Sequence, residues 1–168
     1  MQKVLLAING MNPSRKVFNY AVELCQRIKA ELCILQVIEP KRYSEYLKTI
    51  RKKASRAKHF IEGSMTAVTF AEAGEHAMAQ EVMTQARKNM NALLPETEKA
   101  GIPCHVTMKS GWPSNEIVRY AREHRDVVLT VYDGTDNTGK GSKRPNKERD
   151  VAKEIKQHLL TPLVTMQD

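Results

Sequence analysis

The chain has 168 residues, 41% of them hydrophobic and 27% charged, the size of one ordinary globular domain with apolar content enough for a single core. Its formal charge of +8 comes from 27 basic and 19 acidic residues. No stretch approaches the roughly 18 apolar residues of a membrane span, and the first residues hold no hydrophobic signal core, so a membrane-spanning role is excluded and a cytoplasmic location is expected.

The first element is an unbroken apolar run, Val4 to Ile8, that passes straight into Asn9 and Gly10. A run without polar alternation predicts a strand buried on both faces, the middle of a parallel sheet covered by helices. The turn at its carboxyl end is where open α/β folds place their ligands. Asn12, Pro13 and Ser14 then start a helix on which Val17, Ala21, Leu24, Cys25 and Ile28 recur at helical spacing. Glu31 to Ile38 is a second apolar run, closed by Glu39 and Pro40, and completes a βαβ unit.

From Lys41 to Ala100 the pattern is helical, with an interruption expected around Gly63, Ser64 and Gly74. Leu47, Ile50, Ala54, Ala57 and Ile61 outline a first face. It is narrow and weakened by Ala, so the helix is expected to pack loosely or project from the body. Ala79, Val82, Met83, Ala86, Met90, Leu93 and Leu94 outline a second helix over 75–100, which returns the chain to the sheet. Gly101 ends it as a left-handed cap. Ile102 to Met108 reads as an edge strand, where Pro103 is tolerated. Gly111 and Pro113 open a helix carried by Ile117, Tyr120 and Ala121, and Asp126 to Tyr132 is a second central strand. Asp133 to Lys147 is polar and glycine-rich and reads as a loop. Asp150 is expected to cap a short last helix through Val151, Ile155 and Leu159, before a final edge strand from Pro162 to Met166.

Two clusters hold much of the basic excess. One contains Lys41, Arg42, Lys48, Arg51, Lys52, Lys53, Arg56 and Lys58; the other contains Lys140, Lys143, Arg144, Lys147 and Arg149. Both could attract polyanions, nucleic acid or an anionic membrane; a solvated helix face and a polar loop are the plainer readings. Cys25, Cys33 and Cys104 all lie in apolar segments and read as reduced core thiols. The five histidines form no helical i, i+4 pair. Cys104 and His105, neighbours on a strand, point to opposite faces, so no metal site is expected. Ser114 and Ser142 have no recognisable base and orienting acid, and Trp112 reads as a wedge in a turn. Gly134, Gly139 and Lys140 mimic a Walker loop, but Gly141 intervenes before Ser142 and no apolar-periodic helix follows at once.

These elements resemble the universal stress proteins over nearly the whole chain, apart from 41–75. Ala7-Ile8-Asn9-Gly10 is similar to that family's Val-Asp-Gly-Ser, and Gln36-Val37 to its His-Val pair. The Gly-x-Pro-x-x-x-Ile turn is intact as Gly111, Pro113 and Ile117. Asp126-Val127-Val128-Leu129 is similar to Asp-Leu-Ile-Val, and Thr161-Pro162-Leu163-Val164 to Cys-Pro-Val-Leu. The resemblance implies one α/β domain, 1–168, built on a five-stranded parallel sheet of order 3-2-1-4-5 with helices on both faces and a helical insertion at 41–75. It also implies a homodimer paired through Leu163, Val164, Thr165 and Met166.

Nucleotide-binding members of the family carry Gly-x-x-Gly and, nine residues later, Gly-Ser or Gly-Thr, because glycines let backbone N–H groups close on phosphates. Counted from Asp126, the first glycine falls on Val131 and the second on Gly134. Counted back from Pro162, Gly-Ser falls on Arg149-Asp150; the other register, Gly141-Ser142, leaves only six residues after Gly134. The Asp that meets the ribose is Asn9. A retained nucleotide site would comprise Asn9, Val37, Gly134, Gly139, Gly141 and Ser142. The preferred reading is a non-enzymatic, dimeric regulatory protein with a degenerate nucleotide site and an unidentified protein partner. The alternatives are an ATP-binding stress protein with slow hydrolysis, and a basic module that binds a polyanion or partner through helix 41–58.

Overall fold

The computed structural model describes residues 1–58, 63–138 and 145–166, with side chains placed for 1–52, 76–136 and 151–166. Five parallel strands form one sheet: β1 (Lys3–Asn9), β2 (Glu31–Ile38), β3 (Cys104–Ser110), β4 (Val127–Asp133) and β5 (Leu163–Thr165), in the order β3-β2-β1-β4-β5. The expected order and edges hold. β1 and β2 are buried along almost their whole length, while no residue of the edge strand β3 is fully buried.

Alternation along β1 divides the core in two. Val4, Leu6 and Ile8 face α1 (Arg15–Ile28) and pack with Val17, Phe18, Ala21 and Cys25; Leu5 and Ala7 face the other way, toward Ile117 and Tyr120 of α5 (Pro113–Glu123) and Val151 and Ile155 of α6 (Pro145–His158). Each fully buried aliphatic or aromatic side chain of this kind contributes about 1.5–3 kcal/mol. α1 starts where the Ser14 hydroxyl accepts the Val17 N–H at 3.3 Å and stops at Lys29, whose left-handed backbone, φ 56°, ends the helix.

A third cluster lies beyond the sheet. α2 (Tyr43–Lys58) and α3 (Gly63–Asn91) pack as a hairpin, with Tyr43, Tyr46 and Leu47 against Val82, Ala86, Ile38 and Met11. The start of α2 is therefore seated, where loose packing was expected, because two tyrosines widen the stripe that Leu47 begins. α3 runs through Gly74, where a break was expected: one helical glycine costs about 1 kcal/mol, and the alanines and glutamates beside it in sequence are good helix formers that outweigh that. The chain breaks instead after Asn91, and the short α4 (Pro95–Lys99) carries it to Gly101, whose φ of 70° makes the left-handed stop. β3 lies two residues later than expected, at Cys104–Ser110. α6 begins at Pro145, well before Asp150, since its first turns are polar and carry no apolar period by which to recognise them. No helix among the described residues is long and apolar enough to cross a membrane.

Candidate functional site

The carboxyl ends of β1 and β4 lie side by side, Ile8 opposite Asp133, and the turns that leave them meet over the sheet. β1 ends at Asn9 and turns through Gly10, whose φ of 120° is open only to glycine at low cost. A Cβ at Gly10 would overlap the carboxylate of Asp136, so the missing side chain also makes room for that group.

Asp136 sits in the 3-10 turn Thr135–Thr138 that follows β4. Its Oδ2 accepts the main-chain N–H of Met11 at 2.8 Å and of Asn12 at 3.3 Å, together with the Tyr46 hydroxyl at 3.0 Å; its Oδ1 accepts the Asn12 side-chain amide at 3.0 Å. The Arg42 guanidinium donates to the Asp136 carbonyl at 3.3 Å and lies over the Tyr46 ring, 4.6 Å from its centroid. Burial, followed by the Asp136 charge, raises the Tyr46 phenol well above the usual range, so it stays a donor at any neutral pH.

Asp133, itself buried, closes the next donor. Its Oδ2 accepts the Ser14 N–H at the start of α1, at 2.8 Å, and its Oδ1 accepts the Thr135 N–H and hydroxyl at 3.1 and 2.6 Å. A carboxylate at a helix N-terminus is stabilised by the orphan amides and the dipole there. From below, Gln36 donates to the carbonyls of Gly10 and Met11 at 2.9 and 3.2 Å; from α3, Asn89 donates to the carbonyl of Met11 and the side-chain oxygen of Asn12 at 3.2 and 3.0 Å. On the opposite face of the sheet the Asn9 amide donates to the Tyr132 hydroxyl at 3.0 Å. Asn9 Oδ1 and Gln36 Oε1 are buried with no donor among the described residues.

Of the predicted site residues, Asn9, Val37 and Gly134 are buried at the carboxyl ends of β1, β2 and β4. The Val37 carbonyl accepts the Gly10 N–H at 2.9 Å, so its strand fixes the turn. Gly139, Gly141 and Ser142 lie outside the described residues. The Arg149-Asp150 register falls inside α6. Sequence reasoning missed Asp133, Asp136, Arg42, Tyr46 and Asn89. Two carboxylates three apart, flanking Gly134 at the end of a β-branched strand, were the available signal.

Elsewhere, Ser114 donates to Glu154 Oε2 at 2.6 Å and the Trp112 indole to the same oxygen at 3.2 Å, joining α5 to α6. These two donors hold the Glu154 carboxyl below its ordinary 4.5, which makes it a poor base for a serine nucleophile. Burial pushes the Cys25 thiol up to about 12 and that of Cys104 to about 11, away from thiolate chemistry. No group of three metal-ligating side chains occurs among the described residues. The crevice thus contains an array of amide donors suited to an anion, with the chain's own carboxylates already in place.

Comparison with known proteins gives a consistent picture. The family model described as the universal stress protein family matches residues 1–132, ending one residue before Asp133. No curated protein matches the chain. Among solved structures, universal stress protein UspA from Lactobacillus plantarum is similar at TM-score 0.61 and 15% identity, over 98% of this chain and 97% of that one. The universal stress protein from Archaeoglobus fulgidus in complex with dAMP is similar at TM-score 0.56 and 13% identity, over 99% and 98%. A family member from Arabidopsis thaliana with AMP bound reaches TM-score 0.51 and 15% identity, over 99% and 91%. At these identities the likeness is one of fold.

Proposed function

This chain belongs to the universal stress protein family, and from that membership we propose that it is a regulatory binding protein without chemistry of its own, whose nucleotide crevice is held closed by Asp133 and Asp136. The observation that carries the reading is the occupation of the Met11, Asn12 and Ser14 amides by internal carboxylates. An incoming phosphate would meet like charge at the donors it needs, and the family's glycine spacing after β4 is not kept. The Ser114 hydroxyl is engaged by Glu154, whose lowered carboxyl is a weak base, and this supports a binding role.

Pairing of two copies through β5 belongs to the same proposal. β5 is a three-residue edge strand with Leu163 and Val164 half-buried, and Leu160 just before it is 98% exposed. An unpaired edge beside an exposed aliphatic side chain suits strand addition by a second copy. Adenine nucleotide binding is the second reading. It is favoured by the relatives solved with dAMP or AMP.

Mass spectrometry of the purified wild-type protein, released under denaturing conditions, tests the choice. A closed crevice retains no adenine nucleotide; stoichiometric AMP or ATP would replace the first reading with the second. For the dimer, Thr165→Pro removes an N–H from the open edge of β5, where Val164 pairs inward with β4, and should give monomers in sedimentation, whereas an intact dimer would move the interface elsewhere.

A further inference from the structure

The α2–α3 hairpin has no part in the reading above, yet side chains from it and from its lead-in turn hold the crevice shut. We propose that Asp136 is an autoinhibitory latch and that the hairpin is the strap that keeps it engaged, so that entry of a phosphate-bearing nucleotide and seating of α2 exclude one another. This rests on the crevice being the family's nucleotide site.

The latch is a single carboxylate with partners on two sides. From the sheet side, the Met11 and Asn12 amides and the Asn12 side chain donate to it; from the hairpin, Tyr46 donates to the same Oδ2 that takes the Met11 N–H. Two oxyanions cannot share those amides, so a ligand that uses them must lift Asp136 away and, with it, the bond to Tyr46. Arg42 adds a second tie, to the Asp136 carbonyl, while stacked on the Tyr46 ring.

The turn is fastened to the hairpin independently of the latch. The Met11 side chain is buried in the same cluster as Tyr43, Tyr46, Leu47, Val82 and Ala86, and Asn89 of α3 donates to the Met11 carbonyl and the Asn12 side chain. Seated hairpin, closed turn and engaged carboxylate therefore form one cooperative unit. Linkage is reciprocal: whatever displaces Asp136 loosens α2, and whatever draws α2 off weakens the latch. The helical segment that the family resemblance leaves unexplained thereby acquires a task, the control of access to the crevice.

AMP is the probe, titrated by calorimetry into wild type, Asp136→Ala and Tyr46→Phe. Asp136→Ala should bind about tenfold more tightly than wild type. Tyr46→Phe, which keeps the carboxylate and removes only the strap's hydroxyl, should gain about threefold. Equal affinities in all three proteins, or no binding by any of them, would overturn the proposal. Should Asp136→Ala fail to fold, the ratio of Tyr46→Phe to wild type decides alone. These ratios are separate from the retention test: a wild type that copurifies with nucleotide ends the closed-crevice reading, while the ratios still report whether latch and strap oppose the ligand.

Discussion

The middle of the sheet and the turn at its carboxyl end are built on opposite principles. Along β1 and β2 the contacts are apolar and non-directional, spread over Val4, Leu6, Ile34 and the helix faces that cover them. A few ångströms on, the Gly10–Asn12 turn depends on directional bonds that converge on two carboxylates. Burial spreads the first region's stability over many contacts, none of which a single charge can switch. The second can be released by the loss of one charge, which is what a binding site under control requires. Stability lies in one region and response in the other, although Ile8 opposite Asp133 joins them in one strand pair.

Substitutions can break that contrast. The largest effect belongs to the core: Ile34→Ala, at a fully buried position of β2, should cost about 2–5 kcal/mol in chemical denaturation without altering AMP affinity. A change of affinity as large as the change of stability would erase the distinction. Gly10→Ala comes next. Its φ of 120° and the overlap with Asp136 should cost about 1–3 kcal/mol, and the displaced carboxylate should raise AMP affinity as Asp136→Ala does.

The smallest effect lies away from both regions, at the Ser114–Glu154 contact between α5 and α6. Removing the hydroxyl by Ser114→Ala should cost about 1 kcal/mol at pH 7. The sign of the pH dependence follows from the lowered carboxyl: Glu154 gives up its proton more readily folded than unfolded. Its contribution is therefore present above its ordinary 4.5 and is lost as pH falls through the lower folded value. The gap between wild type and Ser114→Ala should narrow over that window; a gap independent of pH would assign the stabilisation to packing.

Much of the fold was legible because its signals are local. The unbroken runs at Val4–Ile8 and Val127–Tyr132 identify the central strands, and Pro103 marks the strand that follows it as an edge. The start of the last helix was misplaced because Pro145–Asp150 carries no apolar period, and the packing of α2 was misjudged because tyrosines, Tyr43 and Tyr46, carry its buried stripe. The strand end that borders the candidate site was legible at Asn9 and Gly10, since the end of a buried parallel strand is readable from the run itself. The latch was not. Asp136 lies 124 residues from Asn12, and a carboxylate in a polar stretch looks solvated until the fold brings an amide to it.

Amide hydrogen exchange at Met11 and Asn12 in the ligand-free wild type tests the closed crevice most directly. Engagement by Asp136 predicts protection of both amides and its loss in Asp136→Ala. Both amides exchanging at the unprotected rate in wild type would contradict it.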